Sequence, residues 1–195
     1  MGDNMKPEEL SALVFKKVHK PTPPAVSVIM PFNLERTPNP IMLCENDEGI
    51  IVIGGQSIGH ARIKGAKEAK NEWLVFVDSD AWYPPEYILQ VKEYIRKLGE
   101  EHPILATKRY GGLLSNPPPH KAYVYEHGLI VRKDVFLERV KNYPENAPRR
   151  TDIGGLFKDA YPIDVPYYHP ATHGEKTLLT TLISLTIPLT LILKK

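Results

Sequence analysis

Cysteine is almost absent from this chain of 195 residues, in which Cys44 stands alone. A single cysteine cannot close a disulfide within the chain, which excludes the disulfide-stapled domains and favours a reducing compartment. Because Cys44 ends the apolar run that begins at Ile41, it is interpreted as a small core residue. A strong charge of one sign is also lacking, since the formal net charge is +2. We therefore expect no nucleic-acid partner.

Long hydrophobic runs are equally scarce. Met1 to Lys20 carries acids and lysines throughout, so no signal peptide is expected there and a cytoplasmic location is favoured. Leu178 to Leu193 lacks charge, but as a helix it would reach only about 24 Å, against the ~30 Å hydrocarbon core of a bilayer. Pro188 interrupts it as well. We expect this segment to dock on the domain, with peripheral membrane contact through 178–193 as the alternative.

What the chain does have is enough apolar sequence for one folded domain, with 42% hydrophobic residues. Its 19 prolines cluster in short loops rather than in a low-complexity tract. The predicted organisation is an N-terminal extension (1–24), a domain (25–176) and an apolar C-terminal tail (177–195). Within the domain, 25–100 form a nucleotide-binding half and 101–176 an acceptor half.

Short apolar or β-branched runs predict strands at 26–30, 41–44, 50–53 and 73–77, and less regular ones at 104–107, 122–132 and 163–168. Helices are predicted from the cap Ser57 to Ala69, from Pro84-Pro85 onward, and from the cap Asp134 to Val140. Strands without polar alternation are covered on both faces. The sequence therefore predicts a single α/β domain with a mostly parallel sheet flanked by helices.

Two carboxylates, Asp78 and Asp80, directly follow the fully apolar run 73–77. Ligands of open α/β sheets bind beyond the carboxyl ends of the strands. A pair of acids at that place can share a divalent cation, since Mg²⁺ and Mn²⁺ favour carboxylate and phosphate oxygens. The alternative is a pair of solvated acids in a turn, because a D-x-D triplet is weak by itself.

Three motifs in order resemble the inverting glycosyltransferases of family 2, which have the Rossmann-related GT-A fold. They are Val26-Ser-Val-Ile-Met-Pro31, Ser57-Ile-Gly-His-Ala-Arg62-Ile-Lys-Gly65 and Trp73-Leu-Val-Phe-Val-Asp78-Ser-Asp80. Within that family, the chain looks close to a small GT-A enzyme of a crenarchaeal virus. The resemblance implies hexosyl transfer from a nucleotide-sugar donor, a UDP- or GDP-sugar, to a hydroxyl on a protein, a glycan or a lipid-linked sugar.

The resemblance also implies roles for residues that bind the donor. Pro31 and Phe32 lie where the first strand of the family meets the nucleoside, and Arg62 would approach the diphosphate. Asp78 would contact the ribose side of the nucleotide. Glu45 is a rough counterpart of the acid that reads the base in the family, and Asp47 is another.

A metal, Mn²⁺ or Mg²⁺, is implied as the cofactor, with Asp80 as its ligand and Asp78 beside it. Some GT-A enzymes complete the metal shell with a late histidine, which makes His169 a further candidate. Inverting transfer also needs a carboxylate on the acceptor side. Asp152 ends a long loop before a Gly-Gly pair and aligns with the acid that serves as base in the family; a helix cap is the alternative role.

Three other functions remain open at this point. A haloacid-dehalogenase-type phosphotransferase also places D-x-D after an apolar strand, although there the motif opens the domain. A sugar nucleotidyltransferase usually carries a glycine- and basic-rich loop after its first strand, and Asn33 to Pro40 has no glycine. The third is a non-catalytic virion or membrane-associated protein built on the same fold.

Overall fold

The computed structural model describes residues 7–32, 38–110 and 128–169. The helices are α1 (Pro7–Val14), α2 (Ile58–Glu68), α3 (Tyr87–Leu98) and α4 (Lys133–Val140), with a 3₁₀ turn at Gly154–Leu156. The strands are β1 (Phe15–His19), β2 (Val26–Phe32), β3 (Ile41–Cys44), β4 (Glu48–Ile53), β5 (Trp73–Phe76), β6 (Ile104–Tyr110), β7 (Leu129–Arg132) and β8 (Tyr161–Tyr168).

The main sheet has six strands in the order β4-β2-β5-β7-β6-β8. β2 runs parallel to β4 and β5, and β8 runs parallel to β6, while β7 is antiparallel to its neighbours β5 and β6. β1 and β3 form a separate parallel pair. The predicted α/β fold with a mostly parallel sheet is confirmed, with β7 as its antiparallel member.

Helices cover both faces of this sheet. Alternate residues of β2 and β5 point into two separate cores: Val28 and Val75 into one, Ile29 and Leu74 into the other. Apolar residues of α1 and α3 complete the first core, and those of α2 and α4 complete the second. Fully apolar central strands follow from this arrangement, because both faces are buried.

α2 packs unusually close to the sheet. Ser57 caps it as predicted, since the hydroxyl accepts a hydrogen bond from the backbone N–H of His60 (3.2 Å). A Cβ added at Gly65 would lie 2.5 Å from Ile29 Cγ2 and 3.0 Å from Val52 Cγ2. The helix therefore approaches β2 and β4 at a distance that only glycine allows. This distance sets how far its other side chains lie from the sheet.

Two local predictions need correction. Asp134 does not occupy the N-cap of α4; Arg132 does, and the Asp134 carboxylate in the first turn pairs with the Arg132 guanidinium instead (2.5 Å). α3 begins at Tyr87 rather than at the Pro84-Pro85 pair. The reason is that Pro84 opens a turn, in which its carbonyl accepts from the N–H of Tyr87 (2.9 Å).

The predicted extension contributes to the fold, since Leu10, Val14 and Phe15 are buried in the first core. The loop 33–37, most of the predicted strand 122–132 and the tail 177–195 lie outside the described residues. Among the helices that the structure describes, none combines the length and apolar character needed to span a membrane.

Candidate active site

An open cleft of about 670 Å³ lies at the carboxyl ends of β2, β4 and β5, the place where open α/β sheets bind ligands. Its lining consists of strand ends, a glycine pair, the start of α2, the acidic turn after β5 and two arginines: Pro31, Phe32, Val52, Ile53, Gly54, Gly55, Ser57, Ile58, Ala61, Asp78, Ser79, Asp80, Arg149 and Arg150. Pro31, Phe32, Asp78 and Asp80 thus lie where the sequence predicted a ligand site.

The acidic turn holds two half-buried carboxylates next to an imidazole. His169 Nε2 is 3.2 Å from Asp80 Oδ1 and 3.7 Å from Asp78 Oδ2. One ligand atom from each of the three side chains lies within 4.8 Å of the others. The structure therefore brings together the three residues that were predicted as metal ligands, two from one turn and one from the far end of the described chain.

His169 reaches this position because β8 is tied to the acidic turn. Trp82 and Tyr168 exchange two backbone hydrogen bonds, of 2.8 and 2.9 Å, and their rings pack 5.1 Å apart. The turn itself is held from below, where the backbone N–H of Asp78 donates to the buried hydroxyl of Tyr83 (3.0 Å). Both ends of the three-residue cluster are thus fixed by backbone contacts.

The imidazole of His169 is cationic in this setting. Burial disfavours its charged form, but hydrogen bonds to Asp78 and Asp80 outweigh burial and raise its pKa from 6.5 to about 9. The protonated imidazole therefore lies beside two carboxylates. A divalent cation bound by these three side chains would displace the proton of the imidazole, because a histidine ligand must be neutral.

The donor set fits such a cation. Adjacent ligands of an octahedral ion, each about 2.1 Å from it, lie about 3 Å apart, close to the 3.2 and 3.7 Å found here. Two carboxylates and one imidazole suit Mn²⁺, and carboxylates with water or phosphate oxygens suit Mg²⁺. Three protein ligands also leave coordination positions for oxygens of a substrate.

Beneath the cleft, Arg62 links two carboxylates. Its Nη2 donates to Asp78 Oδ1 (2.7 Å), and its Nε donates to both oxygens of Asp152 (3.0 and 3.3 Å). The side chain is 1% exposed, and its guanidinium lies 5.7 Å from the ring centre of Phe76. The sequence predicted that Arg62 would approach the diphosphate. The structure does not support a direct contact, because the guanidinium lies beneath the residues that line the cleft and contacts one of them, Asp78.

Asp152 is held near the site by the same arginine. Its Oδ1 also accepts from the N–H of Ile153 (2.8 Å), directly before the 3₁₀ turn. Other acids of the second half have surface partners: Asp134 pairs with Arg132, Glu138 with Lys141, and Asp159 with Arg139. Asp152 thus differs from them in facing the site rather than solvent, although it is not part of the cleft lining.

Glu45 does not reach the cleft, which corrects its predicted role in reading the base. β3 ends at Cys44, and Glu48 pairs with Ser27 at the start of β2, about five residues before Phe32. Glu45 therefore lies near the amino ends of the parallel strands. The five residues from there to Phe32 correspond to roughly 17 Å at 3.3 Å per residue. Asp47 also lies near the amino ends, and it forms a buried ion pair with Lys92 (2.6 Å).

Several residues in and around the cleft were not predicted from the sequence to have a functional role. Gly54 and Gly55, at the end of β4, adopt positive φ angles of 73° and 133°. That backbone favours glycine and leaves the cleft floor without side chains. Arg149 and Arg150 belong to a loop that reaches the cleft only through tertiary contacts. Tyr83 could have been suspected from its place shortly after the acids.

Comparison with solved structures finds similar folds in a staphylococcal protein. The chain is similar to S. aureus TarS with a TM-score of 0.51 and 14% identity, over 83% of this chain and 39% of that chain. It is also similar to TarS 1-349 in complex with UDP-GlcNAc, with a TM-score of 0.46 and 16% identity, over 76% of this chain and 59% of that chain. The chain thus spans less than two thirds of the length of either. No curated protein matches it.

The sequence profile of the family described as "Glycosyl transferase family 2" matches residues 42–160, more than half of the chain. That range includes the acidic turn after β5, Arg62 on α2 and Asp152. This match assigns the domain, and the mixed sheet with its flanking helices agrees with it. The chain belongs to glycosyl transferase family 2.

Proposed function

We propose that this chain transfers a hexosyl group, with inversion, from a nucleoside diphosphate sugar to a hydroxyl acceptor. The observation that carries the proposal is the cluster of Asp78, Asp80 and His169 beside the cleft. It supplies a place for a divalent cation where the strands end, and the cleft beside it has room for a nucleotide. A UDP- or GDP-sugar is the proposed donor, and the acceptor hydroxyl belongs to a protein, a glycan or a lipid-linked sugar.

The three ligands would hold Mn²⁺ or Mg²⁺, which as a Lewis acid offsets the charge of a departing diphosphate. Asp78 has two further contacts that fix it: its backbone on Tyr83 and its carboxylate on Arg62. Pro31 and Phe32 offer an apolar strand end to the nucleoside. The residues of this chain thus bind and orient the donor before any bond changes.

In the transfer itself, the acceptor oxygen forms a bond to the anomeric carbon while the bond from that carbon to the diphosphate oxygen breaks. The bonding pair leaves with the diphosphate, and the hydroxyl proton must pass to a base. We propose Asp152 as that base. Arg62 would hold its carboxylate in place through Nε, and the contacts of Asp152 with Arg62 and Ile153 leave lone pairs for the proton.

The finer attributions stay predictions. They are the cytoplasmic location, the peripheral membrane contact through 178–193, the division into an extension, two half-domains and a tail, and the likeness to a small viral enzyme. Failure to bind any nucleotide sugar in the presence of Mn²⁺ would favour a non-catalytic role on the same fold. Release of phosphate from a generic phosphoester would favour a phosphotransferase.

The metal assignment is tested by Asp80→Asn, which keeps the size of the side chain and removes its charge. Loss of an outer-shell partner alone typically costs about 10- to 100-fold in metal affinity, so we expect at least that loss for a ligand. Calorimetric titration of a panel of nucleotide sugars, UDP-GlcNAc among them, with and without Mn²⁺ measures it. Asp159→Asn, an exposed acid paired with Arg139, is the matched control.

Metal-dependent donor binding that is undiminished in Asp80→Asn would show that the acidic turn holds no cation. Thermal denaturation of the wild-type protein with each nucleotide sugar of the same panel identifies the donor. A ligand at 100 times its dissociation constant stabilises the fold by about 2.7 kcal/mol.

The proposed base is tested separately by Asp152→Asn. Loss of a general base typically costs about 10² to 10⁴ in rate, so transfer should nearly vanish while the donor binds about as tightly as before. Single-turnover transfer measures the first quantity and titration the second, again against Asp159→Asn. Transfer that survives within a few-fold would place the base elsewhere or indicate retention of stereochemistry.

A further inference from the structure

The charged side chains that line the cleft fall into two pairs. Asp78 and Asp80 come from the turn after β5, and Arg149 and Arg150 come from the loop before Asp152. The acids are assigned to the proposed cation. The arginines have no part in that assignment, although each brings a permanent positive charge to the lining.

Three of the other described arginines differ from this pair, whereas Arg96 on α3 is likewise exposed without an ion pair to a described residue. Arg62, Arg132 and Arg139 each form an ion pair with one or two aspartates. Arg149 and Arg150 form none with any residue that the structure describes, and both are exposed. Their ten or so N–H donors therefore face the cleft and solvent without an acceptor from the protein.

The backbone that carries the two arginines is nevertheless fixed. The carbonyl of Arg149 accepts from the N–H of Ile58 (3.2 Å), and the carbonyl of Thr151 accepts from the N–H of Gly59 (3.1 Å) and from the hydroxyl of Tyr143 (3.0 Å). A Cβ at Gly59 would collide with that hydroxyl. These hydrogen bonds at Arg149 and Thr151 fix the backbone of the two arginines beside the start of α2.

The same contacts leave the N-terminus of α2 poorly suited to bind an anion. The first two N–H groups of α2 donate to the carbonyls of Arg149 and Thr151, and the third, of His60, donates to the hydroxyl of Ser57. The end of the helix therefore has few donors left for a phosphate. Among the described lining residues, the cationic groups for an oxyanion are the two arginines.

We propose that Arg149 and Arg150 bind a phosphate group of a substrate in the cleft. Planar guanidinium groups pair with phosphate oxygens through two parallel hydrogen bonds, which suits a cleft whose lining also offers carboxylate ligands for a cation. The inference rests on the proposed function and deepens it by naming the chemistry of the two arginines. The phosphate is either the diphosphate of the donor or an anionic group carried by the acceptor.

The test uses the double variant Arg149→Gln/Arg150→Gln, with Arg96→Gln as the control. Arg96 is exposed on α3, outside the cleft, and has the same charge. In the first arm, UDP is titrated in the presence of Mn²⁺. In the second, inorganic phosphate is titrated by NMR into the UDP-saturated protein, or into the protein alone if UDP does not bind.

A hydrogen bond to a charged group contributes enough that we expect a loss of roughly tenfold or more in the double variant. Loss in the first arm identifies the diphosphate of the donor, and loss confined to the second identifies an anionic acceptor. The control should stay within about twofold. Unchanged binding in both arms, or no binding of UDP or phosphate by the wild type, overturns the inference.

The two proposals fail differently. If the wild type binds no nucleotide but binds phosphate in a manner that depends on the arginines, the proposed sugar transfer is wrong and the anion site stands. If nucleotide sugars bind and react in the double variant as in the wild type, the transfer stands and the anion site falls.

Discussion

At the scale of the residue, Arg62 is a buried cation shared by two carboxylates of the site. Burial by itself lowers the pKa of its guanidinium, but the carboxylates of Asp152 and Asp78 outweigh burial and raise the pKa above its usual value. The charge is therefore permanent. Within the described residues its Nη1 has no hydrogen-bond partner, so two of its three nitrogens carry all its contacts. Removal of this cation would leave Asp152 without its charged partner, whereas Asp78 would keep its contact with His169.

Arg62→Met is expected to lower the free energy of unfolding by about 3–5 kcal/mol, the usual cost of breaking a buried ion pair from one side. Urea denaturation measures it. Arg132→Met serves as the control, because the exposed pair of Arg132 with Asp134 contributes less than about 1 kcal/mol. Equal losses in the two variants would mean that Arg62 is only a space-filling residue.

The positions of some site residues can be predicted from the sequence, and those of others cannot. Asp78 and Asp80 were predicted because an apolar strand and a turn determine them locally. Arg149 and Arg150 were not, since a pair of arginines in a proline-bearing loop resembles any solvated surface. Their position depends on backbone contacts with Ile58 and Gly59, far away along the chain, and no local pattern encodes these.

At the scale of the element, α2 combines two tasks. Its small residues set its distance from the sheet, and that distance decides how far the guanidinium of Arg62 reaches beneath the acidic turn. Ser57 and Ala69 were predicted as its limits, and the structure has Ser57 as the N-cap and Ala69 as the C-cap. Cap chemistry and small-residue spacing are local, which is why this helix could be predicted well.

Gly65→Ala should destabilise the fold despite the better helix propensity of alanine, which is worth about 1 kcal/mol. The added methyl group would overlap Ile29 and Val52, and overpacking costs typically about 1–3 kcal/mol. Thermal denaturation gives the sign. The control is Lys64→Ala, an exposed position on the same helix. A gain in stability for Gly65→Ala would show that α2 can move away from the sheet without cost.

At the scale of the whole molecule, the sequence predicted the fold class but not the strand order. Apolar runs indicate that a strand is buried on both faces, yet they do not say which strands are neighbours. β7 enters antiparallel between β5 and β6, and this order places β8 at the sheet edge beside β6. The predicted role of His169 therefore depended on a family resemblance, whereas its contact with Asp80 is a property of the whole sheet.

Stability of the metal-free chain should depend on pH through His169. Its folded pKa of about 9 exceeds its unfolded value of 6.5, so its stabilising contribution is complete below pH 6.5 and is lost as the pH rises through about 9. The difference in Tm between the wild type and His169→Gln, measured in a chelator, should shrink over that range. A difference that stays constant with pH would show that the imidazole does not bind its proton against the two acids.

The backbone hydrogen bonds between Trp82 and Tyr168 have a consequence for how the chain folds during its synthesis. A chain that grows from the ribosome presents Asp78 and Asp80 long before Tyr168 and His169 emerge. Until β8 joins the edge of the sheet, the carboxylates have no imidazole beside them. A nascent chain that is cut short before His169 therefore carries the two carboxylates without the imidazole.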